Sequence, residues 1–392
     1  MIDHLKCNCI KYNIPDEDCE PVIKVSENKD DMLVAVSSNK RNILLYKIIN
    51  REIIYSDTFY IGDPNKIIAL EWSKQNDLLI VTIDMKCIIY KKKENGKWEC
   101  TNVNIPTEDL PTCACWHPHT YSFAIGFTSG IIFICSKKEN QKWKIKKINN
   151  HVASVMFIDW SSSGYILSTN SLDSTSLLVC TSGLLDDNIK NRNNIKIYKN
   201  METFITERNI HNNDIIYKIE SEGYIFLHSS FSFSNEKIAI IATNFESTYE
   251  KQQIIILDYF KSPANTQYVS WVGQTLQRCL FLDDDKLLVY GYEIFPIIVE
   301  YSTQEEWIIS KVGVPEINIK TLTVDFFYDQ KEIQEIEQEC EHLDGNEIIG
   351  EIVAHSNYIL QISMLEPYEN KIYIEFITVS SDFSIVLWNF SI

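Results

Sequence analysis

Ala69-Leu70-Glu71-Trp72-Ser73, Ala114-Cys115-Trp116-His117 and Ile158-Asp159-Trp160-Ser161 are three versions of one short phrase. Each is an apolar run closed by tryptophan and a small or hydrogen-bonding residue. The tryptophans stand 44 residues apart twice over, at 72, 116 and 160. A second phrase keeps nearly the same step: Lys92-Lys93-Glu94-Asn95-Gly96-Lys97-Trp98 returns 45 residues later as Lys137-Lys138-Glu139-Asn140-Gln141-Lys142-Trp143.

Self-similarity at 40–45 residues, with several short strands in each unit, is the signature of a WD-type β-propeller. The expected fold is all-β: one seven-bladed WD-repeat propeller over 1–392 with two insertions. At 392 residues the chain has the length of two or three ordinary domains, and one closed propeller also fits. The first blade covers about 20–57, with runs Met32 to Val36 and Ile43 to Tyr46 split by a Ser-Ser-Asn-Lys turn. Blade two has Ile67 to Leu70, Leu78 to Val81 and Cys87 to Tyr90. Blade three has Thr112 to Trp116, Ser122 to Ile125 and Ile131 to Cys135. Blade four has Val155 to Trp160, Tyr165 to Ser168 and Ser176 to Val179. Apolar runs of four to six residues suit strands covered on both faces.

The rhythm then breaks over 181–214, a stretch rich in Asn, Lys and Asp in which Ile195 and Ile197 stand isolated. It reads as a polar surface insertion after blade four. Phe231-Ser232 takes up the phrase again in blade five, and Phe281 holds the same place in blade six. A second, acidic insertion at 313–350 separates blades six and seven. Within it, over 329–343, Ile333, Ile336 and Cys340 are spaced three and four apart among glutamates, which predicts a short amphipathic helix and a candidate partner contact. Blade seven runs through Ile352 to Ile362, Ile372 to Val379 and Ser384 to Asn389. The alternation of Leu5, Cys7 and Cys9 suits an N-terminal strand that completes it, since closing a propeller removes exposed sheet edges.

The candidate sites are structural. His355, Thr378, Asp382 and Trp388 occupy the places where a WD blade holds an imidazole among a hydroxyl, a carboxylate and an indole, and His151 with Asp173 is a partial copy in blade four. Cys113-Ala114-Cys115-Trp116-His117-Pro118-His119 suggests zinc, but no second Cys/His pair stands at ligand spacing, and the alternating thiols are expected to pack. No phosphate-cradling glycine loop and no G-x-S-x-G appear, so catalysis, cofactors and metals are not expected. The net charge of −18 argues against direct binding of nucleic acid. Eleven cysteines, an odd number, with a polar start and no apolar run of about 18 residues, point to reduced thiols in cytoplasm or nucleus and to no membrane span.

On particular phrases the chain resembles the propeller subunit (subunit 1) of the actin-related protein 2/3 complex. Glu20-Pro21, Asn28-Lys29-Asp30 and the strand ending at Tyr46 are similar to the family's first blade. Gly291, Pro296 and Tyr301 are similar to its sixth. The spaced series His355, Asn357, Ile359, Gln361 and Ser363, with Ser384 to Phe390, is similar to its last. The resemblance implies a non-catalytic scaffold of the cytoplasm and cytoskeleton, with the nucleus as the alternative compartment. It would be joined to the actin-related proteins and small subunits of such a complex, and through them to actin filaments and nucleation-promoting factors. Glu332, Glu335, Glu337, Glu339 and Glu341 make this insert acidic where the family's is basic, which would repel an acidic promoter tail. A WD-repeat adaptor in a coat, nuclear or chromosome-associated assembly is the other reading the residues allow.

Overall fold

The computed structural model describes residues 7–13, 24–28, 33–37, 42–49, 52–61, 66–137, 142–185, 196–244, 252–292, 297–316, 323–327, 359–364, 373–380 and 384–391. The chain divides into two compact units: one holds residues 1–22 and 273–392, the other residues 23–272.

The first unit holds β1 (Cys7–Asn13) and β22 (Leu276–Phe281) through β29: β23 (Lys286–Gly291), β24 (Ile297–Tyr301), β25 (Trp307–Glu316), β26 (Thr323–Phe327), β27 (Ile359–Met364), β28 (Tyr373–Ser380) and β29 (Ser384–Ser391). They form one sheet in the order β22-β23-β24-β25-β26-β1-β29-β28-β27. This is a set of four, β22 to β25, joined through β26 to a second set of four that begins with β27 and ends with β1. The N-terminal strand is therefore the outer strand of the last blade. It pairs antiparallel with β29 from Cys7 opposite Phe390 to Asn13 opposite Ser384.

The second unit holds five separate antiparallel sheets of four strands, each in chain order. They are β2 (Lys24–Asn28), β3 (Leu33–Ser37), β4 (Asn42–Ile49) and β5 (Glu52–Tyr60); β6 (Ile67–Trp72), β7 (Leu78–Thr82), β8 (Cys87–Lys92) and β9 (Trp98–Asn102); β10 (Pro111–Trp116), β11 (Ser122–Phe127), β12 (Ile131–Ser136) and β13 (Lys144–Asn149); β14 (Val155–Trp160), β15 (Ile166–Ser171), β16 (Thr175–Cys180) and β17 (Ile215–Glu220); and β18 (Tyr224–Phe231), β19 (Lys237–Asn244), β20 (Gln252–Asp258) and β21 (Asn265–Trp271). With the two sets in the first unit the described strands make seven fours and one linking strand.

The packing explains the composition of each strand. First strands of successive blades lie side by side, β2 by β6, β6 by β10, β10 by β14 and β14 by β18. Second strands are buried along their whole length in β7, β11 and β15. A strand covered on both faces reads as an unbroken apolar run. The core lies between blades. Leu33, Leu45, Leu70 and Ile80 fill the space between blades one and two, Val81, Phe123, Phe127 and Cys135 that between two and three, and Ala124, Ile134, Leu167 and Val179 that between three and four. Each Val, Leu, Ile or Phe among them contributes about 1.5–3 kcal/mol on leaving water.

Two expectations need correction. The insertion at 181–214 does not follow blade four; it lies inside it, between β16 and β17, which pair across the gap. Nor is it all polar excursion. It contains helix α1 (Lys196–Glu207), which buries Tyr198, Met201 and Phe204. These three, with Ile205 partly buried, form a stripe at helical spacing that joins Tyr165, Leu185, Tyr224, Phe226 and Tyr259 in the core between blades four and five. Phe204 stacks on Phe260 at 4.4 Å, and Arg208 spans the same ring while donating to the carbonyls of Tyr259, Phe260 and Lys261. The second insertion is also placed differently at its start, because β25 continues the outer strand of blade six to Glu316 and β26 pairs with it. Residues 328–358, with the expected helix at 329–343 and Ile333, Ile336 and Cys340, lie outside the described residues.

Candidate interaction site

The tryptophan phrase has a local cause. Each ends a first strand and begins the turn to the second. Ser73 Oγ accepts the amide N–H of Gln75 and of Asp77, and the Ser73 N–H donates to the Asp77 carbonyl at 2.8 Å. Ser161 Oγ accepts the N–H of Ile166, and Ser232 Oγ that of Lys237. The residue after the aromatic therefore pins the turn by replacing backbone partners, as serine does well in tight turns.

In blade three that residue is His117. Its Nδ1 accepts the N–H groups of His119 and Thr120 at 3.1 and 3.0 Å, and its Nε2 donates to the Gly164 carbonyl of blade four at 3.1 Å. Burial pushes its pKa down to about 4, so the ring is neutral and every ring nitrogen has a partner. Gly164 has φ +75°, and a Cβ there would come within 2.6 Å of the His117 ring. Neighbouring turns are joined from blade two to blade five. Tyr121 donates to Asp77 Oδ2 at 2.7 Å, and Asn235 accepts from the Ser163 N–H and donates to Ser162 Oγ. His119 reaches both the Ser162 carbonyl and the hydroxyl of Tyr198, which fastens α1 to blade three.

The opposite ends of the strands carry the WD set. In blade four His151 Nδ1 lies 3.1 Å from Asp173 Oδ2 and 3.0 Å from Thr175 Oγ1, with Nε2 2.8 Å from Thr169 Oγ1. Burial lowers the pKa of His151 despite the nearby carboxylate. Burial would raise that of Asp173, but donors from Thr175, Val152 and His151 outweigh it and hold the carboxyl below its usual range. A neutral imidazole bridging a carboxylate and two hydroxyls resembles catalytic machinery, but here every member is satisfied inside one blade, which fixes its loops. Val179 stands at the place corresponding to Trp388 of blade seven. In blade seven itself Thr378 is buried on β28 and Trp388 pairs with Cys9 and Phe376 on neighbouring strands; His355 and Asp382 lie outside the described residues.

The thiols of the Cys-Ala-Cys phrase point to the next blade: Cys113 Sγ is 3.9 Å from the Val155 carbonyl and Cys115 Sγ 3.8 Å from Asp159 Oδ1. Burial, then the charges of Asp159 and Glu71, push the Cys115 thiol far up, which keeps it an unreactive thiol. Burial also raises the Asp159 carboxyl, to about 7. Among the described residues no three His, Cys, Asp or Glu side chains are placed to hold a metal ion.

What the loop face offers is display. Ile83, Leu110, Val152 and Leu172 are exposed beside loops that enter blades two to four, and Val152 keeps 89% of its surface. Backbone bonds hold them: Ile83 N–H to Lys66 O, Thr128 N–H to Leu110 O and Leu172 N–H to Ser154 O. At Gly130, φ +86°, a Cβ would strike the His151 carbonyl at 2.5 Å, so adjacent loops are in close contact. A row of exposed apolar residues on loops braced in this way suits protein contact. Sequence reasoning missed this row, because single apolar residues in polar loops carry no periodic signal. No helix among the described residues is long and apolar enough to cross a membrane.

No family model matches the chain. It is 26% identical over 116 residues to "Actin-related protein 2/3 complex subunit 1" of Schizosaccharomyces pombe, covering 29% of this chain and 31% of that one. To the protein of the same name from Saccharomyces cerevisiae it is 23% identical over 158 residues, 39% and 40% of the two chains. It is 27% identical over 139 residues to "WD repeat-containing protein dyf-2" of Caenorhabditis elegans, 34% of this chain and 10% of that one. The match thus spans less than half the length of these relatives. Among solved structures, a chain of the mitotic checkpoint complex superposes with TM-score 0.60 at 11% identity, covering 97% of this chain and 94% of that one. Saccharomyces cerevisiae Sqt1 superposes with TM-score 0.56 at 14% identity, covering 97% and 98%. Both are WD-repeat propellers, and the fold of this chain is that of a WD-repeat β-propeller.

Proposed function

We propose that this chain is a non-catalytic scaffold subunit of an assembly of the actin-related protein 2/3 type. The observation that supports it is the similarity to subunit 1 of that complex from two yeasts, together with the phrases of blades one, six and seven noted above. Its work is rigid display. Turns sewn by His117, Asp77 and Asn235 hold the blades in fixed relation within residues 23–272, and loops and inserts present contacts from them. The partners are the actin-related proteins and small subunits of the complex, and through them actin filaments and nucleation-promoting factors. The segment 329–343, with Ile333, Ile336 and Cys340, is a contact arm in this reading, and the place of work is the cytoplasm and cytoskeleton.

The second reading, an adaptor in another assembly such as a coat, nuclear or chromosome-associated complex, is favoured by the comparable similarity to a WD-repeat protein of a different name. Affinity purification of the tagged chain from its own cells, followed by mass spectrometry, separates the two. The first reading expects actin-related proteins and their companion subunits in the eluate. Deletion of 329–343 is expected to deplete them several-fold while leaving the melting temperature within a degree or two. A complete foreign assembly without actin-related proteins would support the second reading instead.

A further inference from the structure

The outer strand of each blade leaves one edge unpaired unless something covers it, and an uncovered edge invites another strand. Most outer strands here are short: β9 has 5 residues, β13 and β17 have 6, and β21 has 7. β13 also carries Lys144, Lys146 and Lys147, charges of the kind that keep an edge from pairing. Two outer strands are long. β25 has 10 residues, and β26 pairs with it on the side away from β24. β5 has 9 residues and ends its sheet, so among the described strands only β4 pairs with it.

Between 52 and 60 there is no lysine or arginine, as is also true of the shorter outer strands β9 and β21. Ile54 is 46% exposed, Tyr55 56% and Tyr60 75%, and Ile49 of β4 adds to the same hairpin at 42%. Phe59 is buried against Tyr90 at 4.4 Å in the core between blades one and two, so the strand is anchored and its exposed residues are held in place. Aromatic and β-branched residues in this setting make favourable cross-strand pairs.

We infer that the edge of β5 turned away from β4 receives an extended strand from a different protein, rich in β-branched or aromatic residues and bearing lysine or arginine. The charge argues for a heterologous partner. The sequence of β5 has two acidic residues, Glu52 and Asp57, and no cation, and two copies of a chain with net charge −18 repel each other. Main-chain bonds along the edge would supply binding, and alternate side chains would supply selectivity. The inference does not depend on which assembly the chain serves.

The test uses the full chain in its own cells, with the photo-crosslinking residue p-benzoylphenylalanine put singly in place of Ile54, Ser56, Thr58 or Tyr60. Mass spectrometry of the adducts is expected to place all four on one peptide of another protein, advancing along it in one direction with the step interrupted at Ser56, where β5 bulges against β4, and with a lysine or arginine in that peptide. The pair Ile54→Lys and Tyr60→Lys is expected to lower the adduct from position 56 by about tenfold with the melting temperature unchanged, since a charged edge resists pairing. Adducts to a second copy of this chain, adducts scattered over unrelated surfaces, or no adduct from any of the four positions would overturn the inference.

Discussion

Phe204→Ala is expected to cost about 3–5 kcal/mol, the range for removing a large aromatic from a packed core. The position lies in a segment whose composition, rich in Asn, Lys and Asp, marks it as surface. Yet Phe204 is 5% exposed, stacks on Phe260, meets Tyr259 edge-on at 5.9 Å and lies under the Arg208 guanidinium. Truncation empties the space between α1 and blade five while leaving the three carbonyl bonds of Arg208 with less to brace them. Thr203→Ala, on the exposed side of the same helix, is expected to change stability by under about 0.5 kcal/mol. Urea unfolding of the two variants beside the parent chain makes the comparison. Equal midpoints for all three would show that α1 is not part of the core.

Gly164→Ala should cost roughly 3 kcal/mol, and the cause can be isolated. Part is backbone strain at φ +75°, about 1–2 kcal/mol for a residue with a Cβ. The rest is the collision of that Cβ with the His117 ring, buried and held on both nitrogens. Blades two, four and five place serine where blade three has His117, at Ser73, Ser161 and Ser232. In the background of His117→Ser the 2.6 Å collision disappears, leaving the strain and a 3.3 Å contact with His119. Gly164→Ala is then expected to cost about 1–2 kcal/mol, a coupling of roughly 1–2 kcal/mol between the sites. Strictly additive costs would mean that the two turns are not in contact.

Three strands of most blades were legible because the packing that buries them on both faces demands apolar runs: Leu78 to Val81 and Ile131 to Cys135 are read directly. The fourth strands were not. Lys144-Ile145-Lys146-Lys147 and Trp98-Glu99-Cys100-Thr101 face solvent on one side, and their polar residues resemble a loop. α1 was hidden for a different reason. Ile195 and Ile197 drew attention as isolated apolar residues, while the stripe that packs is Tyr198, Met201, Phe204 and Ile205. In the WD set of blade four, His151 and Asp173 were recognisable, whereas the hydroxyls of Thr169 and Thr175 became visible only when strand pairing set them round the ring. The clasps between turns join residues 44 to 73 positions apart, such as Tyr121 with Asp77 and Asn235 with Ser162, and no local pattern announces them.

Hydrogen exchange of the full chain, read by mass spectrometry at peptide resolution, tests most directly whether the repeated aromatic step encodes four-stranded sheets with α1 built into them. Protection should recur as four strands in each step of about 44 residues, weakest in the outer strand. The amides of 201–207 should exchange nearly as slowly as those of β15 and β16. Exchange of 201–207 within seconds, or protection in blocks that ignore the step from Trp72 to Trp116 to Trp160, would contradict the account.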